Sequence, residues 1–194
     1  MNKTRKIVLL TFKISIIVIA IVFLFRCIFD PNYSKWGGVI AGVTLPFLPE
    51  IFSKLFRIKI SYRVELMYYI FLILALSLGI SADLYKTVPL YDKAVHTLSG
   101  AGTALIGFYM LRYFKAEKTP AVFRGMFMIF FSISVAVAWE FFEFFCDKCL
   151  GQHMQQLVTT GVDDTMLDML VATIGAIIGG VLMANKKVQD FLEK

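Results

Sequence analysis

Three aspartates stand at the start of an apolar segment that is long enough to cross a bilayer. Residues 161–180 have the sequence GVDDTMLDMLVATIGAIIGG. Asp163 and Asp164 precede the apolar part, whereas Asp168 lies one helical turn inside it. An acid at that depth is costly in hydrocarbon and usually faces a bundle interior, a partner or a water-filled cavity. Asp168 is therefore the first candidate for a functional residue.

Further polar residues recur at spacings of three or four, which places them on one face of a helix. The pairs are Asp92 with His96, Glu140 with Glu143, Glu143 with Asp147, and Asp164 with Asp168. One member of each pair lies at a similar depth, about one turn from the end of its helix at ~1.5 Å per residue. Three helices could therefore direct carboxylates and one imidazole to a single point.

This combination of side chains suits two kinds of chemistry. Without a metal, several close carboxylates would share protons, with a charged His96 between them. With a divalent cation the charges are neutralised, and oxygen and nitrogen ligands suit Zn²⁺, Mn²⁺ or Mg²⁺. We predict that such a metal binds and that Glu140 or Glu143 acts as catalytic general base. The predicted ligands are Asp92, His96, Glu140, Glu143, Asp164 and Asp168.

Each candidate also has a purely structural interpretation. Asp92 and Asp164 could be N-caps, since aspartate is a preferred capping residue and stabilises the positive end of a helix. His96 could bond a backbone carbonyl, and Glu143 could face lipid headgroups or water. The convergence of the set favours function more strongly than any single member does.

The composition indicates that membrane-embedded helices position these residues. Of 194 residues, 58% are hydrophobic and only 18% are charged, which is too apolar for an ordinary soluble domain. The net charge of +6 does not indicate nucleic-acid binding, because the basic residues fall in short clusters between apolar segments. We predict an all-α, polytopic membrane protein with one integral membrane domain over residues 1–194 and the lipid bilayer as its immediate partner.

Apolar segments that approach ~20 residues, the length of a membrane-crossing helix, predict about six spans. They lie near residues 7–25, 36–52, 64–82, 92–113, 120–146 and 165–184. Pro46 and Pro49 are expected to break or kink the second span.

Small residues at four-residue spacing allow helix backbones to approach closely. The fourth span carries Ser99, Thr103 and Gly107, and the sixth carries Gly175 and Gly179. We predict that these two spans form a close pair.

Orientation follows from the basic residues. With a cytoplasmic N-terminus and six spans, 14 Lys and Arg residues fall on the inner side and five on the outer side, as the positive-inside rule requires. Lys13 lies within the first span and is expected to snorkel to the inner surface. The same topology places eight of the 14 acids, and His96, on the outer side. We predict a multi-pass plasma-membrane protein with both termini in the cytoplasm.

Three motifs between residues 83 and 180 carry a resemblance to a known family. They are Leu84-Tyr85 and Val88-Pro89 followed by Tyr91-Asp92-Lys93-Ala94-Val95-His96 and Ser99-Gly100; Trp139-Glu140-Phe141-Phe142-Glu143; and Asp164-Thr165-Met166-Leu167-Asp168-Met169 with Gly175-Ala176. With these motifs the chain resembles the YjdF-type inner-membrane proteins and, more distantly, the VanZ-like family. VanZ-like proteins commonly carry asparagine four residues after the equivalent of Asp168, whereas this chain has Ala172, which favours the YjdF-type assignment. The resemblance implies a helical membrane protein but carries no reaction.

Cys146 and Cys149 form a C-x-x-C pair, which on an oxidising side of the membrane could be a disulfide or a redox pair. Thiol oxidases linked to quinones generally need a second cysteine pair, and only Cys27 remains. We expect a free or structural pair rather than redox catalysis.

The sequence thus favours a pocket that binds a divalent metal and acts on, or recognises, a lipid-linked or envelope substrate. Two alternatives stay open. One is a small proton- or ion-coupled transporter in which Glu140 and Asp168 titrate, and the other is a non-catalytic membrane assembly protein. The patterns carry no signal for an oligomeric state.

Overall fold

The computed structural model describes residues 3–30, 33–81, 83–151, 153–155 and 162–193, and no strand occurs among them. Six helical segments in this part of the chain are long and apolar enough to cross a membrane: Lys3–Phe29, Trp36–Phe56, Tyr62–Ile80, Tyr91–Tyr113, Ala121–Leu150 and Asp163–Ala184. The predicted all-helical architecture with six spans is confirmed. The orientation of the termini stays a prediction.

The chain divides into two compact units. The first consists of Met1–Pro89 and Glu143–Met154, and the second of Leu90–Phe142 and Gln155–Lys194. The single membrane domain over residues 1–194 stays a prediction. The two units are described separately below.

The first unit begins with three spans. Helix α1 is Lys3–Phe29; the second span comprises α2, Trp36–Thr44, a 3₁₀ turn, Leu45–Phe47, and α3, Leu48–Phe56. The third span is α4, Tyr62–Leu72, continued by a π-helical segment, Ile73–Ser81, and followed by the short α5, Leu84–Thr87.

The predicted interruption at Pro46 and Pro49 is confirmed, and the neighbouring span compensates for it. Pro49 has no N–H to donate to the carbonyl of Leu45 four residues earlier, and a backbone carbonyl without a partner is costly in a membrane. The Tyr68 hydroxyl donates to the Leu45 carbonyl over 2.7 Å, and the Tyr69 hydroxyl donates to the Pro46 carbonyl over 3.2 Å. The Leu45 carbonyl also accepts from the Leu48 backbone N–H in the 3₁₀ turn, so both carbonyls have partners at the interruption.

Lys13 does not behave as a snorkelling residue. Its Nζ lies 2.5 Å from Glu50 Oε1 and 4.0 Å from the centre of the Phe47 ring, and only 14% of its side chain is exposed. The expectation for Lys13 was wrong because α3 supplies a carboxylate within reach.

The second unit contains the remaining three spans. They are α6, Tyr91–Tyr113, the part of α7, Ala121–Leu150, that precedes Glu143, and α8, Asp163–Ala184. The C-terminal α9, Lys186–Glu193, follows, and an ion pair joins Glu193 to Arg112 at the end of α6.

Helices α6 and α8 pack backbone to backbone. A Cβ atom at Gly100 would overlap the carbonyl of Ala172, and one at Gly175 would overlap the carbonyl of Thr97. At Gly179 a Cβ would lie 2.7 Å from the Ala101 carbonyl oxygen. The predicted close pair of fourth and sixth spans is confirmed.

Part of the small-residue stripe on α6 faces a different neighbour. Thr103 Oγ1 lies 2.6 Å from Ser132 Oγ on α7, and a Cβ at Gly107 would lie 3.2 Å from the Cα atom of Met128 on the same helix. Gly100, which lies outside that stripe, makes the contact with α8 instead. Spacing alone identified small residues but did not assign each one to a partner helix.

We predict that Gly100→Ala destabilises the protein by about 1–3 kcal/mol, the usual cost of overpacking. Gly102→Ala is the matched control on the same helix, since a Cβ at Gly102 would meet nothing within 4 Å. Alanine is the better helix former, so the control should be neutral or stabilising. SDS-induced unfolding in mixed micelles measures the free energy of unfolding of both variants. Equal free energies of unfolding would contradict the close packing.

Candidate functional site

The acidic ends of α6 and α8 begin the candidate site. Tyr91 and Asp163 are the first residues of the two helices, so Asp92 and Asp164 lie inside the first turn. The N-cap positions are Leu90 and Val162, and neither helix has a side-chain cap. The capping interpretation of Asp92 and Asp164 was therefore wrong. The helix dipole still favours acids in these first turns, and their carboxylates are turned to another partner.

That partner is Lys93, whose ammonium lies among three carboxylates. Its Nζ is 3.0 Å from Asp92 Oδ2, 2.6 Å from Asp164 Oδ1 and 2.8 Å from Asp168 Oδ1. The side chain of Lys93 is 19% exposed, and that of Asp168 only 3%. Two acids from α8 and one from α6 thus share one cation.

The sequence interpretation missed Lys93, because it counted this residue only as one of the few basic residues on the outer side. A signal was nevertheless present. Lys93 adjoins Asp92 and precedes His96 by three residues, so it lies on a neighbouring part of the same helix face. A lysine in the first turn of a membrane helix, next to several acids, is expected to form ion pairs with those acids.

Asp92, His96 and Asp168 form the part of the cluster that could hold a metal ion. One ligand atom from each lies within 4.8 Å of the others. His96 Nε2 is 3.5 Å from Asp92 Oδ1 and 3.8 Å from Asp168 Oδ1. His96 and Asp168 are buried, at 8% and 2% exposure. The structure therefore brings together four of the six predicted ligands, since Asp164 joins these three through Lys93.

Glu140 lies in the same unit and is buried, with 4% of its surface exposed. Neither carboxylate oxygen has a hydrogen bond of ordinary geometry with any described residue. The Thr165 hydroxyl and the charged groups of Asp92, Lys93 and Asp164 are close enough to act on its charge. Such a carboxylate is costly to bury without a partner, which makes Glu140 the group in this unit most in need of a ligand or proton.

Thr165 connects this region to the segment before α8. Gln155 Nε2 donates to Thr165 Oγ1 over 3.3 Å, and both side chains are buried. Residues 156–161, which lie between Gln155 and the start of α8, fall outside the described part of the chain.

Glu143 belongs to the first unit, although it lies on α7 with Glu140. It is buried, at 9% exposure. Its predicted role as ligand or general base stays a prediction. In the same unit, Asp147 Oδ1 accepts a hydrogen bond of 2.7 Å from the Met154 backbone N–H. The thiols of Cys146 and Cys149, buried and exposed respectively, are free.

A series of hydroxyl groups continues from the cluster along α6. Ser99 Oγ donates to the His96 carbonyl over 2.8 Å, and Thr103 Oγ1 donates to the Ser99 carbonyl over 2.8 Å. Ser132 on α7, 1% exposed, donates to the Gly100 carbonyl over 2.9 Å. Polar groups therefore extend from the cluster into the apolar part of the unit.

Comparison with known proteins places this arrangement in a family. The model of a family described as "Predicted membrane protein (DUF2238)" matches residues 11–187. The chain belongs to the DUF2238 family. The match includes all the residues of the cluster, Glu140 and the α6–α8 packing surface.

One relative of this DUF2238 protein is a Thermotoga maritima protein described as an uncharacterized protein. It is 27% identical over 146 residues, which cover 75% of this chain and 74% of the relative. No solved structure matches the chain. The resemblance to YjdF-type and VanZ-like proteins stays a prediction.

We predict that Lys93→Met destabilises the protein by about 3 kcal/mol or more, since removing one partner of a buried ion pair leaves the other charges uncompensated. Lys35→Met is the control. Lys35 Nζ lies 3.1 Å from Asp83 Oδ1, whose side chain is 51% exposed, and such surface pairs contribute less than about 1 kcal/mol. Unfolding in mixed micelles compares the two, and a loss for Lys93→Met no larger than that of the control would refute a central role for the ammonium.

Proposed function

We propose that this protein binds a divalent metal ion, Zn²⁺, Mn²⁺ or Mg²⁺, at Asp92, His96 and Asp168. The observation that carries the proposal is the spacing of the donor atoms. Ligands about 2.1 Å from one tetrahedral ion lie roughly 3.4 Å apart. The distances of 3.5 and 3.8 Å from His96 Nε2 to the two carboxylates need only small adjustments to reach that geometry.

The charge of the cluster supports the same proposal. With the acids ionised and His96 neutral, Asp92, Asp164 and Asp168 outweigh Lys93 by two negative charges. An excess of negative charge is costly in a region of low dielectric constant. A divalent cation neutralises that excess. The carboxylate of Glu140, which is buried and makes no hydrogen bond of ordinary geometry with a described residue, is a further group that a bound cation or substrate would satisfy.

The chemistry follows from these groups. A bound divalent metal supplies Lewis acidity or holds a phosphate oxygen. Glu140 serves as general base, because it is held close to the cluster and is engaged by no other hydrogen bond among the described residues. Glu143 is the second predicted acid–base residue, and Asp164 holds Lys93 in place.

The substrate we propose is a lipid-linked or envelope molecule. The cluster lies at the beginnings of two membrane-crossing helices, which is the depth of lipid headgroups. The positive-inside rule places this end on the outer side of the plasma membrane. A kinship with YjdF-type proteins is compatible with this proposal but adds no reaction to it.

Metal analysis of the purified protein tests the proposal. We expect wild-type protein incubated with Zn²⁺, Mn²⁺ or Mg²⁺ to retain about one ion per chain after desalting. The double variant His96→Ala/Asp168→Asn should retain none, and the control Asp83→Asn, an exposed acid of the first unit, should bind as wild type does. Retention of none of the three ions by wild type would refute the metal site.

The hydroxyl series from His96 to Ser132 favours a second candidate, a proton- or ion-coupled small transporter with Glu140 and Asp168 as the exchanging acids. In proteoliposomes, such a protein would move its substrate or ion only with a pH gradient. Transport that does not depend on the gradient would count against it. If alanine at His96, Glu140, Glu143 and Asp168 leaves growth and expression unchanged, a non-catalytic assembly role is favoured instead.

A further inference from the structure

The ammonium of Lys93 lies where a cation would bind. Three carboxylate oxygens surround its Nζ at 2.6, 2.8 and 3.0 Å. Two of the three acids, Asp92 and Asp168, are also members of the proposed metal site. The same carboxylates therefore serve both an internal monovalent cation and the proposed external divalent one.

The two cations compete most directly at one atom. Asp168 Oδ1 is 2.8 Å from Lys93 Nζ and 3.8 Å from His96 Nε2. An ion bound to this oxygen and to His96 would lie within about 5 Å of the ammonium, given a metal–oxygen distance of about 2.1 Å. Like charges at that separation in a poorly screened region repel strongly. Simultaneous full occupancy by both cations is therefore unfavourable.

We propose that Lys93 is a tethered competitor, which a divalent metal ion displaces from Asp92 and Asp168. This inference rests on the proposed function, because it assumes a metal at that site. It adds a property that the ligand set alone does not imply: the site exchanges one cation for another.

The side chain of Lys93 is suited to this exchange. Lysine carries a compact, strongly hydrated charge on a flexible stem of four carbons. Its side chain is 19% exposed, so the protein leaves part of it uncovered, whereas the side chain of Asp168, at 3%, is enclosed. Without metal, Lys93 offsets part of the negative charge of the three acids and links the ends of the two helices. Metal binding is then reversible, because the displaced ammonium stays tethered nearby and can bind the carboxylates again.

The first test measures Zn²⁺ and Mn²⁺ affinity of full-length wild type, Lys93→Gln and Lys93→Arg in detergent by competition with a metal-sensitive dye. Removing the competing charge should tighten binding by at least about tenfold in Lys93→Gln, and tenfold corresponds to about 1.4 kcal/mol. Lys93→Arg keeps the charge and should stay within about threefold of wild type. Equal or weaker binding by Lys93→Gln would overturn the exchange.

The second test needs no variant, and so does not depend on the stability of Lys93→Gln. Acetylation of wild-type amines at constant pH is followed by mass spectrometry with and without Zn²⁺. We expect the reactivity of Lys93 to rise several-fold with Zn²⁺, relative to Lys86, whose side chain is 75% exposed. An unchanged ratio would overturn displacement.

The outcomes separate the two proposals. If wild type and Lys93→Gln bind metal equally well, the exchange fails and the metal site stands. If neither binds Zn²⁺, Mn²⁺ or Mg²⁺, both fail. If only Lys93→Gln binds, the ammonium excludes the metal from the wild-type site, so both the exchange and metal binding by the wild-type protein are refuted.

Discussion

The ammonium of Lys93 among the carboxylates of Asp92, Asp164 and Asp168 is the interaction on which the rest of this site depends. Carboxylates at the ends of membrane helices repel one another, and the surrounding lipid screens that repulsion poorly. Lys93 Nζ lies within 3.0 Å of an oxygen from each, so one side chain of α6 links the first turns of α6 and α8. The acids can be concentrated at this point only because a cation accompanies them, whether that cation is part of the chain or comes from solution.

The close packing of α6 against α8 is the second requirement. The ion pairs need two helix backbones near enough for short aspartate side chains to reach one lysine. Gly100 and Gly175 meet that need, because a side chain at either position would overlap the backbone of the opposite helix. In a bilayer, packing of this kind supplies much of the association energy, since apolar side chains gain little by leaving lipid for protein. The glycines and the charged cluster therefore depend on each other. The glycines set the separation of the helices, and Lys93 pairs with the acids that this separation brings together.

The first unit applies the same rule to different residues. Lys13 and Glu50 pair within the membrane-crossing part of that unit, and the carbonyls of Leu45 and Pro46, beside the two proline interruptions, accept hydrogen bonds from Tyr68 and Tyr69. In each case a polar group in an apolar setting is matched by a partner from a neighbouring span. Glu140 differs, since both of its buried carboxylate oxygens lack a hydrogen bond of ordinary geometry with any described residue. That contrast is the main reason to treat Glu140 as functional rather than structural.

The sequence by itself determined the helical membrane architecture, the six spans and the close pairing of the fourth and sixth. The length of apolar segments and the spacing of small residues are local properties of the sequence. In a bilayer they determine which segments span the membrane and which helices can pack closely. It also indicated that Asp92, His96, Asp164 and Asp168 belong together, because spacings of four residues define a helix face. Only the tertiary structure decided that Asp92 and Asp164 are not caps, that Lys13 pairs with Glu50, that Thr103 faces α7, and that Lys93 is the centre of the acidic cluster. These outcomes depend on which side chain of another helix lies within about 3 Å of the polar atom in question. The residue pattern of a single helix does not determine distances to atoms of another helix.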